Sequence, residues 1–310
     1  MGQIHSRNHI ISNNSCKSLE TSTTKKYSHP FRYINGRRFH NNENSIYFLP
    51  NDNEEVDRLQ LQHFLFRYIW KSNFSAPIKD LFDQGGVKVL DVGCGPGTWL
   101  LEMSTNYPQS SFTGIDISPI YPGDIKPRNL SFDTANVLEG LPFADNTFDF
   151  VYIRFMITAF TVDDWQNKVV KELIRVCKPG GWVEFMEGDM GFNPEGPAGK
   201  KVMDAYRSIL VSKQINPNIT KCLYSILSST PTITTLSYET KSGPIGNWAG
   251  RIGELASQDF SQTLHALKPM LSKVIECTDE EYNELVEEFE RECNLNKANF
   301  VHYRFFAKKK

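Results

Sequence analysis

The stretch "VKVLDVGCGPGTW", residues 87–99, constrains this chain more than any other. A β-branched apolar run ends in an acid, and three glycines and a proline follow within the next six residues. Apolar residues this dense and this few suit a strand buried on both faces, as in parallel sheets. Glycines at the end of such a strand let backbone approach a ligand closely. The residues from Thr98 to Asn106 then read as a helix whose N-terminus faces that turn.

The alternation continues along the chain. "SFTGIDI" (111–117), "NLSFDTANV" (129–137), "FDFVYIRF" (148–155) and "WVEFMEG" (182–188) read as strands. A helix is expected over 54–71, starting near the capping cluster Asn51-Asp52-Asn53. Another over 162–177 places Trp165, Val169, Leu173 and Val176 on one face, before a turn at Pro179-Gly180-Gly181. Helices at 198–213, 250–267 and 279–292, with strands at 232–240 and 298–306, complete the pattern. Strands alternating with helices imply a parallel sheet covered on both faces, with its ligand beyond the carboxyl ends of the strands.

Composition narrows the partners. A formal net charge of −2 gives no global reason to expect nucleic acid. Cys16, Cys94, Cys177, Cys222, Cys277 and Cys293 form no CxxC pair, and with the histidines they form no cluster spaced for a metal. A reduced, intracellular setting is expected, cytoplasmic or nuclear, without a transmembrane segment. Residues 1–45 hold seven Lys/Arg against two Asp/Glu and no apolar repeat, which reads as a disordered basic tail. Its start, "MGQIHSR", fits the N-myristoylation pattern with Gly2 as acceptor. One such chain anchors weakly, so Cys16 or the basic residues would have to assist.

The turn itself separates ligand classes. A phosphate-binding P-loop needs Lys and Ser/Thr after its last glycine, whereas Thr98 and Trp99 follow Gly97. A dinucleotide fingerprint starting at Gly93 needs a third glycine where Thr98 stands. Asp91 would sit badly beside a pyrophosphate and well beside an ammonium group. Asp116 ends the second strand, 19 residues after Gly97, where an acid can accept both hydroxyls of an adenosine ribose. Together these favour S-adenosylmethionine over a nicotinamide dinucleotide.

"VLDVGCGPG", "GIDIS", "LPFADNTFDFVYIRFM" and "ELIRVCKPGGWVEF" resemble, in order and spacing, the class I S-adenosylmethionine-dependent methyltransferases. "GRRFHNNENSIYFLPNDNEEVDRLQLQHF" (36–64) and the link at 118–132 are similar to the fungal methyltransferases related to velvet-complex regulators of secondary metabolism. The resemblance implies a Rossmann-like, seven-stranded, mostly parallel sheet within one domain over 46–310, with core motifs at 86–190. It implies a helical lid over about 191–230, ahead of C-terminal strands and helices at 231–310. It assigns the cofactor to Asp91, Gly93, Cys94, Gly95, Asp116, Ile117, Asn136, Val137, Arg154 and Phe155. Asp91 would bind the methionyl ammonium, Asp116 the ribose, Ile117 the adenine face and Asn136 the adenine amino group, while Arg154 and Phe155 would flank the methionine end.

Methyl transfer is an in-line displacement that needs a general base only where the acceptor must first lose a proton. Glu187, near the end of its strand, and His63, in the helix that the fungal resemblance places over the cofactor, are the candidates for such a role. Asp149, Trp165 and Trp182 read as structural, and "TDEEYNELVEEFERE" as a solvated helix face. A small-molecule acceptor is expected, with a cofactor-binding regulator acting through protein partners as the alternative.

Overall fold

The computed structural model describes residues 31–34, 36–41 and 47–310. Phe31–Ile34 (β1) and Arg37–His40 (β2) pair as an antiparallel hairpin. The tail expected over 1–45 is therefore corrected at its end. Arg37 and Arg38 tie this hairpin to the start of the first helix, through Asp52 at 2.9 Å and Asn51 at 3.1 Å. Gly2 and Cys16 lie outside the described residues.

β3 (Lys88–Val92) is the centre of the main sheet. Val89 faces one hydrophobic core, and Leu90 and Val92 face the other. β4 (Ser111–Asp116) pairs parallel on one side and β6 (Phe148–Arg154) on the other. β5 (Leu130–Thr134) lies beyond β4, and β7 (Cys177–Gly188) beyond β6, again in parallel. β9 (Asn299–Lys309) runs antiparallel between β7 and β8 (Ile233–Pro244), so the order is β5-β4-β3-β6-β7-β9-β8. This is the seven-stranded, mostly parallel sheet implied by the sequence. The chain leaves β3 for β4 on one side and reaches β6 on the other, which opens a crevice at the end of β3.

Helices cover both faces. α1 (Asn53–Trp70), α2 (Lys79–Gln84) and α3 (Thr98–Asn106) pack on one side with α6 (Pro197–Ser212), α8 (Arg251–Ile275) and α9 (Asp279–Leu295). α4 (Val162–Asp164), a π turn at Trp165–Val169, α5 (Val170–Val176) and α7 (Ile219–Ser228) lie on the other. Trp165, Val169, Leu173 and Val176 are all fully buried, as their spacing predicts. Asp149 is structural, accepting from the Lys88 N–H at 2.9 Å and from Lys178 Nζ at 2.7 Å.

Three expectations change. The turn at Pro179-Gly180-Gly181 is an irregularity within β7, where a side chain on Gly181 would meet the Asp149 carbonyl oxygen at 2.8 Å. The helix expected to end at 267 continues through Pro269 to Ile275, because Leu271 is fully buried beyond it. Glu292, placed on a solvated face, is buried: Gly196 has no side chain to cap α6, and the Glu292 carboxylate accepts from Ala198 and Gly199 N–H at 2.9 and 2.8 Å. Among the described residues no helix is long and apolar enough to cross a membrane.

α1 is capped by Asp52 and anchored by Arg58. The Arg58 guanidinium, 4% exposed, bonds Glu55 within α1 and Asp259 on α8 at 2.6 and 2.7 Å. Arg58→Met would leave two buried carboxylates without their cation. Urea unfolding is expected to show a loss of about 3–5 kcal/mol, against under about 1 kcal/mol for exposed Arg251→Ala, which removes a surface pair.

Candidate functional site

A cavity opens at the carboxyl ends of β3, β4 and β6. Gly93, Cys94 and Gly95 form one wall, with Asp116 and Ile117 at the end of β4, Asn136 and Val137 beyond β5, and Arg154 and Phe155 at the end of β6. Of the residues named from the sequence as cofactor-binding, only Asp91 does not border this space; it lies one residue below, inside β3.

The glycine turn is shaped by its neighbours. Gly93 has φ +71°, and a side chain there would meet Met156 Sδ at 2.8 Å. Gly97 has φ +73° and lies against the Phe132 ring, which a side chain would meet at 2.5 Å. Asp116 fastens the turn to β4: its two oxygens accept from the N–H groups of Gly95 and Ser118 at 2.9 and 2.8 Å. Asn136 caps the short turn Val137–Glu139, accepting from Leu138 N–H at 3.0 Å, which leaves its oxygen one further lone pair. Cys94 is a buried filler whose thiol burial pushes far above its ordinary range.

Among the described residues, two charges at this site form no ion pair. Asp91 is 1% exposed, and among the described residues its Oδ1 has no hydrogen-bond partner. Burial pushes its carboxyl up to about 7, while nearby Arg154 acts in the opposite direction. Among the described residues Arg154 forms no ion pair; its Nη1 lies 3.2 Å from His63 Nδ1. Phe155, next in the chain, has φ +56°, a conformation that costs a non-glycine residue energy and that clusters at functional sites.

Both general-base candidates are corrected. Glu187 is fully buried and does not border the cavity. Its oxygens accept from Met156 and Ile157 N–H at 2.7 and 3.2 Å, so it holds the loop after β6 from behind. Burial pushes its carboxyl up to about 8. His63 is 1% exposed, also outside the cavity, with Nε2 2.8 Å from Glu102 Oε2. Burial, with Arg154 beside it, pushes the imidazole well below its ordinary value.

The lid is also corrected. No residue of 191–230 borders the cavity; α6 packs on α8 and α9, and α7 covers β8 and β9. Tyr206 is buried against Phe48, and Tyr224 stacks edge-on with Tyr238. The cover comes instead from Tyr47, Pro50 and Asn51, before α1, and from Leu59 and Gln62 within it. Sequence reasoning named the helix and its capping cluster but placed none of these residues at the cavity. The signal was present in the capping cluster: a helix starting at Asn53 puts Leu59 and Gln62, three apart, on one face. Asn51 Nδ2 donates to Ser118 Oγ at 3.3 Å and ties this cover to the end of β4. Met156, Ala159 and Phe160 complete the apolar wall.

Residues 89–181 match the family described as a methyltransferase domain. Over 176 residues the chain is 32% identical to the N-methyltransferase verN of Clonostachys rogersoniana, covering 56% of this chain and 60% of that protein. It is 33% identical over 181 residues to the methyltransferase pytC of Aspergillus terreus, covering 57% and 51%. It is 32% identical over 161 residues to the protein-methionine methyltransferase laeA of Emericella nidulans, covering 51% and 41%. The chain thus spans about half the length of the curated relatives it matches. Residues 89–181, which hold the glycine turn and the central strands of the sheet, thus match a methyltransferase domain, and the chain is similar to these fungal methyltransferases.

Proposed function

We propose that this chain moves a methyl group from S-adenosylmethionine to an acceptor that brings its own lone pair. The observation that carries the reading is a pair of charges that form no ion pair among the described residues: Arg154 on the cavity wall, and Asp91 one residue below it, inside β3. The amino-acid end of S-adenosylmethionine carries an ammonium and a carboxylate, one for each. A dinucleotide would instead bring a pyrophosphate toward Asp91. In this reading Asp116 takes the ribose hydroxyls with its remaining lone pairs, Ile117 and Val137 pack on adenine, and Asn136 accepts from the adenine amino group.

When bound, S-adenosylmethionine supplies a methyl on a sulfonium: the acceptor's lone pair forms the new bond, the carbon–sulfur bond breaks, and its electron pair returns to sulfur. The chain's own residues hold the two ends of the donor, and Leu59, Phe155, Met156 and Phe160 exclude water from the line of transfer. Among the described residues, no group on the cavity wall is poised to remove a proton. Both Asp116 oxygens accept backbone hydrogen bonds, and burial pushes the Tyr47 phenol and the Cys94 thiol above their ordinary ranges. An amine or a thioether needs no such group, and two of the relatives are named for nitrogen and methionine acceptors. The apolar wall favours a small molecule. A protein side chain is the second reading, favoured by the name of the Emericella relative.

Titration calorimetry is expected to show S-adenosylmethionine binding and no NADH binding, with Asp116→Ala weakening the former at least about tenfold. Labelled methyl is expected in the small-molecule fraction of a metabolite extract; label confined to protein would favour the second reading. Gly2 is the proposed acylation site, and Gly2→Ala is expected to abolish any membrane-associated fraction in cells.

Asp91 adds a stability signature. Between the ordinary carboxyl value of 3.8 and about 7, the folded chain holds a proton that the unfolded chain has released. Stability of the ligand-free protein therefore falls as pH rises through that window. Asp91→Asn is expected to be the more stable protein at pH 8, by on the order of 1–4 kcal/mol in urea unfolding. That advantage should vanish near pH 4, and the variant should lose cofactor affinity. Equal stability at pH 8 would refute the assignment of a costly buried charge.

A further inference from the structure

We propose that His63 is a positioning residue that aims the Arg154 guanidinium at the carboxylate of the methyl donor, with Glu102 fixing the ring tautomer that does so. The inference rests on the cofactor assignment above and extends it to residues outside the cavity wall.

Three elements meet here: His63 on α1, Glu102 on α3 and Arg154 at the end of β6. A guanidinium has only donors, so the 3.2 Å contact between Arg154 Nη1 and His63 Nδ1 requires Nδ1 to be the acceptor. The single proton of the neutral ring is then on Nε2, which donates to Glu102 Oε2 at 2.8 Å. The other Glu102 oxygen accepts from Arg67 Nε at 3.0 Å, which holds the carboxylate in place. Each member fixes the next, and the chain ends on a cation that borders the cavity.

The acceptor on His63 has a second consequence. The Asp91 carboxylate is within electrostatic reach of Arg154. A guanidinium released from His63 is free to turn toward Asp91, and their pairing would use up both charges that the amino-acid end of the donor requires. His63 thus keeps the positive and negative subsites apart, and it does so from the helix that covers the cavity.

The test compares binding of S-adenosylmethionine with binding of its decarboxylated analogue, which keeps the ammonium and lacks the carboxylate. His63→Gln places its amide where Nε2 was, so it keeps the Glu102 contact and loses the Arg154 acceptor. It is expected to lose about tenfold in affinity for S-adenosylmethionine and little for the analogue, the size of one hydrogen bond to a charged group. His63→Asn places its amide where Nδ1 was, and is expected to retain the wild-type preference for the carboxylate. A merely structural role would weaken both ligands in parallel. The proposal is overturned if His63→Gln keeps the preference, if both ligands weaken equally, or if His63→Asn loses the preference as fully as His63→Gln. Failure of the wild-type protein to bind S-adenosylmethionine at all would instead overturn the cofactor assignment, and this inference with it. Melting curves for both variants report whether each is folded.

Discussion

The polar chemistry of this protein is confined to one edge of the sheet because β3 is buried on both faces. Val89 and Leu90 are fully buried on opposite sides, and the ladder to β4 and β6 uses the backbone hydrogen-bonding groups between them. A charged side chain within such a strand is costly, and Asp91 is the one ionisable residue in the buried part of β3. It sits one residue from the strand's end, where the glycine turn opens. The cost of burying its carboxylate is recovered only if a cation arrives from the cavity side. That requirement is the ground on which we propose Asp91 as the subsite for a free ammonium group.

α1 closes the site, and charged contacts hold it along its whole length. Near its start, Arg58 bonds Asp259 on α8; at its middle, His63 and Arg67 share Glu102 on α3. Just past its end, Arg304 on β9 donates to the Ser72 carbonyl oxygen at 3.0 Å, and the Glu184 carboxylate on β7 accepts from Ser75 and Ala76 N–H at 2.8 and 2.7 Å. Apolar packing alone permits a helix to slide along its groove, since it is not directional. Buried hydrogen-bonded charges do not, because any shift leaves one of them unpaired. The helices between β8 and β9 therefore bear on the site without touching it: α8 supplies the anchor for the covering helix.

Much of the core was legible because it follows from local rules. The spacing of Trp165, Val169, Leu173 and Val176 predicted a buried stripe, and the helix over Thr98–Asn106 has the bounds read from sequence. The residues at the strand ends were legible for the same reason: strand polarity sends them all to one edge. Glu187 and His63 were misread because burial and partners are not local. Each looks like a base in sequence, yet Glu187 is buried outside the cavity, where each of its oxygens accepts a backbone N–H, and His63 is locked between Glu102 and Arg154. Glu292 was misread likewise, since the N–H groups it caps lie on α6.

By itself the sequence determined the alternating sheet, the glycine turn, and the acids at Asp91 and Asp116 that separate one cofactor class from another. These depend on hydrophobic period, backbone freedom and residue chemistry within a few positions. Only the tertiary structure decided what covers the site and which charges remain unpaired. The segment over 191–230 turned away to build the two helical layers, and residues 47–62 took its place above the cavity. The reason is physical: whether a charge is free depends on every element packed around it, and His63, Glu102 and Arg154 come from three of them.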